Sequence, residues 1–511
     1  MFFRRSFSMV GKVFVSGKHR SGISRLNFWL VGACVLLVTA PGVRATEFLD
    51  FVKDPLSTAP PVLASGATLP GDSEPIICPP RVDLARPLAL GDAVDMALCN
   101  NPQLMASWAA IKIQSGALGE TRATYLPTLN GSASKLRNET KYPDASEFNS
   151  SDSGHTMYLG MSWRVFDFGG RSANNAAANN LLSAALASHD SALQKGLMAT
   201  IGAYFDAMTA QAVLSAKTTA ASLASETLAA VKRREAKGVV AMNDVLQSDA
   251  ALAKARLEKH RAEGDFAKAV AVLVYNTGLS TGTALLMPPE NGEINRETIN
   301  ELAQWIAEAQ ERHPEIVAAR LQWEVAKAKV ESVRSEGLPT VDLTGNFYQN
   351  GYPNQALQAR KTNVSTLGVT LNIPLFEGFS RHYKIYGAEA MAEQKEAQSK
   401  DVEHQVLTEL VKAHAEARSS LNNLQSSEDL LRATKAAVDS SERRYAKGVA
   451  DILELLSVQS ALTDAQQQRI RSLNEWRAAR LRLFAAAGTL GRIMVTASSG
   501  SAYTQSSGRL P

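Results

Sequence analysis

Four short stretches of this chain set apolar and polar residues in alternation, and the long runs that flank each pair of them cycle at the helical period. From Tyr125 to Leu136, and again from Thr156 to Phe168, residues alternate. In the second stretch Met157, Leu159, Met161, Trp163 and Val165 share one face, and Tyr158, Gly160, Ser162 and Arg164 share the other. That pattern predicts a strand with two unlike faces. Two more strands are predicted at Val341–Tyr348 and Ser365–Leu375, where Leu367, Val369, Leu371, Ile373 and Leu375 alternate with Thr366, Gly368, Thr370 and Asn372. The polar Asn138–Gly154 stretch, rich in Ser, Asn and Asp, reads as a surface loop between the first two strands.

The helical runs are long. A helix is predicted from Leu88, broken at Asn101-Pro102, and a second from Gln103 to about Arg122. After Phe166-Asp167-Phe168-Gly169-Gly170-Arg171 a Pro-free run rich in Ala, Leu, Glu and Lys reaches Ala236, roughly 100 Å of helix at 1.5 Å per residue. Lys237-Gly238 stops it, and a return helix follows from Met242 to Tyr275.

The second half repeats the first. A helix from Gln304 to Arg312 leads to His313-Pro314, which answers Asn101-Pro102, and Leu338-Pro339-Thr340 answers Leu126-Pro127-Thr128 at a shift of 212. Phe376-Glu377-Gly378-Phe379-Ser380 answers Phe166–Gly170, Lys447-Gly448 answers Lys237-Gly238, and Ala487-Gly488 answers Thr277-Gly278, all at a shift of 210 (448 − 238). The chain therefore divides into a repeat at 88–279, a connector at 280–298 and a second repeat at 299–490. A Pro-rich arm at 46–87, extended or partly disordered, precedes them, and a loose polar tail at 491–511 follows.

Composition alters this picture at the N-terminus. Six basic residues up to Arg25 and an apolar run from Phe28 to Ala40 predict an export signal over 1–45, with cleavage after Val43-Arg44-Ala45. Removing it takes away seven basic residues and no acidic one, so a net charge of +4 becomes −3, and nothing then favours a nucleic-acid partner. Cys34 leaves with the signal, so Cys78 and Cys99 remain as a candidate disulfide in an oxidising compartment, with two unpaired thiols as the alternative.

After residue 45 no run has the length and apolarity of a spanning helix, so any membrane insertion must be by strands. Four strands cannot close around a lumen, and an open edge in lipid leaves backbone groups unpaired, so other copies of the chain must complete the sheet. Two copies give eight strands and a filled interior; three give twelve and a passage. A small soluble sheet domain is the competing reading of the strands, but helices near 100 Å need neighbours along their whole length. Catalytic motifs are missing: no His-Glu-x-x-His, no phosphate-binding loop and no dinucleotide fingerprint. His404 and His414 stand ten positions apart on one predicted helix, and Glu331/Glu336 and Asp439/Glu442 read as solvated helix charges. No enzyme, cofactor or metal site is expected.

From about Leu88 to Leu490 the chain resembles the TolC-type outer membrane channel family, through the paired Asn101-Pro102 and His313-Pro314, the Leu-Pro-Thr strand starts, the Phe-Asp/Glu…Gly strand ends and the two Lys-Gly tips. The resemblance implies a mostly α protomer with a transmembrane β-barrel portion, three copies forming a 12-strand barrel in the outer membrane on a 12-helix α-barrel in the periplasm. It implies a periplasmic adaptor docked on the tips and an inner-membrane ABC or proton-driven transporter, the channel being the exit duct of a type I protein secretion or tripartite efflux system. Family carboxylates that ring the periplasmic constriction correspond to Glu454 and to Ser457, which is not acidic. Asp244 and Tyr445 match a pair that ties the hairpins when closed; its basic partner corresponds to Ala450. On that basis Tyr445→Phe and Asp244→Ala are expected to raise conductance. Arg234, Gly238, Val239, Arg444, Gly448 and Val449 are the expected adaptor-contacting tips. The long leader without a convincing lipoprotein box, together with the cysteine pair, favours type I secretion. The rival reading is a periplasmic coiled-coil structural or adaptor protein without a pore.

Overall fold

The computed structural model describes residues 54–69, 72, 74–76, 78, 86–144, 146–280, 282–283, 285–287, 301–349, 362–492 and 495. The predicted signal at 1–45 lies outside them, as do most of the connector and the tail. The body runs from Thr58; before it only a turn at 54–57 is described, the Ser57 N–H donating to Asp54 O at 3.2 Å.

The chain order is α1 (Val62–Ser65), α2 (Leu90–Asn100), α3 (Pro102–Ala123), β1 (Thr128–Thr140), β2 (Ser150–Phe166), α4 (Gly170–Glu235) and α5 (Met242–Asn276), then α6 (Leu302–Arg312), α7 (Pro314–Ser335), β3 (Thr340–Gln349), β4 (Asn363–Asn372), α8 (Ser380–Ala446) and α9 (Ile452–Ala486). From α2 onward the order helix, helix, strand, strand, long helix, return helix occurs twice. Each Pro motif starts a helix for the same reason. Asn101 Oδ1 accepts the Gln103 N–H at 2.9 Å in α3, and His313 Nδ1 accepts the Glu315 N–H at 3.3 Å in α7, each with Pro at the first helical position. The return helices end on these same caps. Gly278 (φ +70°) lies where a Cβ would come within 2.5 Å of Asn100 O, and at Gly488 (φ +77°) one would come within 2.9 Å of Pro314 Cδ.

α4 packs against α5, α3, α7 and α9, and α8 packs against α9, α7 and α6. Leu193, Leu197, Ile201, Phe205 and Met208 of α4 are buried with Leu90 and Val94 of α2, Leu104 of α3 and Leu273 of α5. This core corrects one expectation: by length and composition α4 contains a window apolar enough to cross a membrane, 44% of it buried within the chain. Its apolarity is that of a helix with neighbours on several sides. One polar group on α4 sits poorly: burial raises the Asp190 carboxyl to about 6. A carboxyl raised on folding contributes stability below about 4 that is lost as pH rises through about 6. Asp190→Asn should therefore stabilise the protein at pH 7.5 by about 2 kcal/mol and leave it unchanged at pH 4, as melting midpoints across pH would report.

The four strands form one sheet in the order β1-β2-β3-β4, every neighbour antiparallel, so the β2–β3 pairing joins the two repeats. Among the described residues β1 and β4 have no outer partner. Leu129, Met157, Leu159, Trp163, Phe347, Leu367, Val369 and Leu371 expose one apolar face, Leu367 to 78%. The other face is polar: Arg164 Nε meets Asp342 Oδ1 at 2.9 Å, and Tyr158 stacks on Tyr348 (5.4 Å) while its hydroxyl donates to Asn346 Oδ1 at 3.1 Å. The Asn138–Gly154 loop is shorter than expected. The ladder continues through Arg137↔Ser153 to Thr140↔Ser150, leaving only 141–149 to turn. Beyond Leu136 both faces are polar, so alternation carries no signal there although the backbone pairing persists.

The arm and the tail, expected to be loose, are held where they are described. Leu69 is 1% exposed, Thr68 bridges Pro75, and Cys78 is bonded to Cys99 at the end of α2. The Arg492 N–H donates to Asp72 Oδ2 at 2.8 Å, its Nη2 meets Asp95 Oδ2 at 2.6 Å, and Val495 is buried. Arm, α2 and C-terminal segment thus clasp one another where they are described. Cys99→Ser opens a loop of sequence separation 21 and should cost about 3 kcal/mol in denaturant unfolding, a loss that reductant reproduces in the parent protein.

Candidate functional site

Both long helices stop in the same way. Lys232, Arg233 and Arg234 fill the last turn of α4, the Val239 N–H donates to Arg234 O at 3.0 Å, and Gly238 takes φ +70°. In α8 the Val449 N–H donates to Arg444 O at 3.0 Å and Gly448 takes φ +75°. These are paired glycine C-caps, and Asp244 and Glu454 follow in the first turns of α5 and α9, where carboxylates complement the helix N-terminus.

The fold brings the two tips side by side. Leu228, Val231, Val245 and Leu252 of the first hairpin pack with Ile452 and Leu455 of the second, with Tyr445 beside them. At the tips, a polar link between the hairpins is made by Arg234. Its guanidinium carbon lies 4.7 Å over the Tyr445 ring, and its Nη1 donates to Tyr445 O at 3.2 Å. The Tyr445 hydroxyl is buried beside the Arg234 guanidinium and makes no well-aligned hydrogen bond. Its pKa is raised, first by burial, with Asp244 adding to the rise and Arg234 opposing it. Asp244 is thus close to Tyr445, yet the contacts of Tyr445 go to Arg234. Glu454 is turned to its own hairpin: Oε1 accepts from Arg444 Nη1 at 2.8 Å and from Ser441 Oγ at 2.9 Å. Of the expected docking residues, Gly238, Val239, Gly448 and Val449 face outward, Val449 to 68%, whereas Arg234 and Arg444 are drawn into these two contacts.

A second set of residues, absent from the sequence reading, fixes the strand-to-helix turns. Arg171 donates from Nε to Asp167 Oδ2 (3.1 Å), from Nη1 to Arg164 O (2.6 Å) and from Nη2 to Val165 O (3.0 Å), and lies 4.8 Å over the Tyr125 ring. Arg381, 210 positions on, pairs with Glu377 at 3.4 Å and lies against Gly337, where any Cβ would collide with it. The repeated Asp/Glu-x-x-x-Arg spacing was the available signal.

A family model described as outer membrane efflux protein matches residues 93–279 and 305–489, the two structural repeats. The chain belongs to the outer membrane efflux protein family. It is 35% identical to Protein CyaE of Bordetella pertussis over 480 residues, covering 94% of this chain and 97% of that one. To the outer membrane protein TolC of Vibrio cholerae it is 24% identical, covering 78% and 91%, and to the alkaline protease secretion protein AprF of Pseudomonas aeruginosa 24%, covering 78% and 84%. The crystal structure of the outer membrane protein VceC of Vibrio cholerae superposes with a TM-score of 0.68 at 21% identity, over 78% of this chain and 96% of that one. As an outer membrane efflux protein the chain is a channel reaching from the membrane into the periplasm. The two-faced sheet is its barrel portion, and the paired hairpins are its α-barrel portion.

Proposed function

We propose that three copies close a twelve-stranded barrel on a twelve-helix tunnel, and that this duct is the exit of a type I protein secretion system. The observation that carries the reading is the sheet: one apolar face, one polar face and both edges without a partner among the described residues, an arrangement lipid tolerates only when the sheet is closed. Tyr383 and Tyr386 share one exposed face of the first turns of α8, with Phe379 exposed just before it, and neighbouring copies would cover them. Glu454, Asp244 and Tyr445 line the periplasmic constriction, and the exposed Val239 and Val449 take a periplasmic adaptor coupled to an inner-membrane ABC or proton-driven transporter. Protein cargo is supported by the likeness to a protein named for protease secretion.

Purified protein in planar bilayers is expected to give discrete conductance steps and to run as heat-modifiable trimers. A soluble monomer without current would instead support the coiled-coil structural or adaptor reading. Loss of a secreted protein from the medium of a deletion strain, with unchanged drug sensitivity, would identify the cargo class.

A further inference from the structure

We infer that the periplasmic mouth of this duct is built for acidic polypeptide, because Arg444 cancels the carboxylate that would otherwise ring it. The inference rests on the reading of the tips as the mouth of a channel. Arg444 and Glu454 stand on the two limbs of one tip, and the pair is closed by a 2.8 Å contact that Ser441 Oγ reinforces at 2.9 Å on the same oxygen. Since both partners belong to the second hairpin, the pair moves with it and persists however the two hairpins shift against each other. A ring of bare carboxylates projects a field across a tunnel; a ring of ion pairs projects only dipoles, which fade within a few ångströms under physiological screening. The position one turn after Glu454 is Ser457, so no second carboxylate restores the charge.

The tip segments themselves are basic. Residues 232–244 carry four basic and two acidic side chains, and residues 442–454 carry three of each, a net +2 per copy. An entrance of that sign raises the local concentration of acidic chain segments and lowers that of basic ones.

The pair is half exposed, with 52% and 35% of its side chains in solvent, so each freed charge should move selectivity by about threefold. The test is the reversal potential of the reconstituted channel in a potassium chloride gradient. Wild type is expected to favour chloride. Arg444→Gln should raise the potassium-to-chloride permeability ratio about threefold, Glu454→Gln should lower it by about as much, and the double variant should return to the wild-type value. Arg444→Lys, which keeps the charge, should behave as wild type, as a merely structural role for the guanidinium would not allow. Poly-L-glutamate added at the tip side should interrupt the current more often than poly-L-lysine. A conducting wild type that prefers potassium, or single variants that leave the ratio unmoved, would overturn the inference alone; the absence of any current would overturn the channel reading as well.

Discussion

Arg234→Ala is expected to leave the reconstituted channel in high-conductance states that the parent protein visits rarely. Arg234 joins the two hairpins through its guanidinium face on the Tyr445 ring and through Nη1 on the Tyr445 carbonyl. A cation–π contact and a charge-assisted hydrogen bond at a half-buried site together hold about 1–2 kcal/mol, so the closed-to-open ratio should fall about tenfold for each copy. Tyr445→Phe keeps the ring and the carbonyl, which carry the contacts to Arg234, and removes a hydroxyl that makes no well-aligned hydrogen bond. Its conductance should match the parent's, which reverses the expectation drawn from the family resemblance. Single-channel recording decides between them: if Tyr445→Phe opens the tunnel and Arg234→Ala does not, a hydroxyl contact to Asp244 holds the tips.

Gly278→Val should be the most damaging single change in the helical body. Its φ of +70° excludes a β-branched residue at a cost of about 1–2 kcal/mol, and the new Cβ would meet Asn100 O at 2.5 Å, where backbone cannot yield as a side chain can. Together these should remove about 4 kcal/mol and lower the unfolding midpoint accordingly. Gly488→Val meets Pro314 Cδ at 2.9 Å, a ring that can tilt, and should cost less. Equal losses at the two sites would mean that the strained φ alone is responsible.

The difference between these two glycines shows what could be read ahead of the structure. That Thr277-Gly278 and Ala487-Gly488 correspond was plain from the 210-residue shift; that each docks on the Pro motif of its own repeat was not, because nothing in a periodic pattern says which caps touch. The strands were visible wherever one face was apolar and vanished past Leu136, where pairing continues between two polar faces. The tips were located, but the partners were not. Arg234 reaches Tyr445 across 211 positions, and Arg444 reaches Glu454 over a ten-residue turn, distances that only the three-dimensional arrangement sets. The roles of Arg171 and Arg381 are not legible in the sequence, because an arginine opening a long helix reads as an ordinary surface charge until its partners are placed.

The two bare margins of the sheet have a genetic consequence. In the three-copy barrel proposed above, a subunit whose last strand is broken would still offer a sound first strand, and so would be accepted by intact siblings and spoil the ring it joined. Alleles damaged in Asn363–Asn372 should therefore be dominant over the wild type when co-expressed, whereas alleles that prevent the whole chain from folding should be recessive.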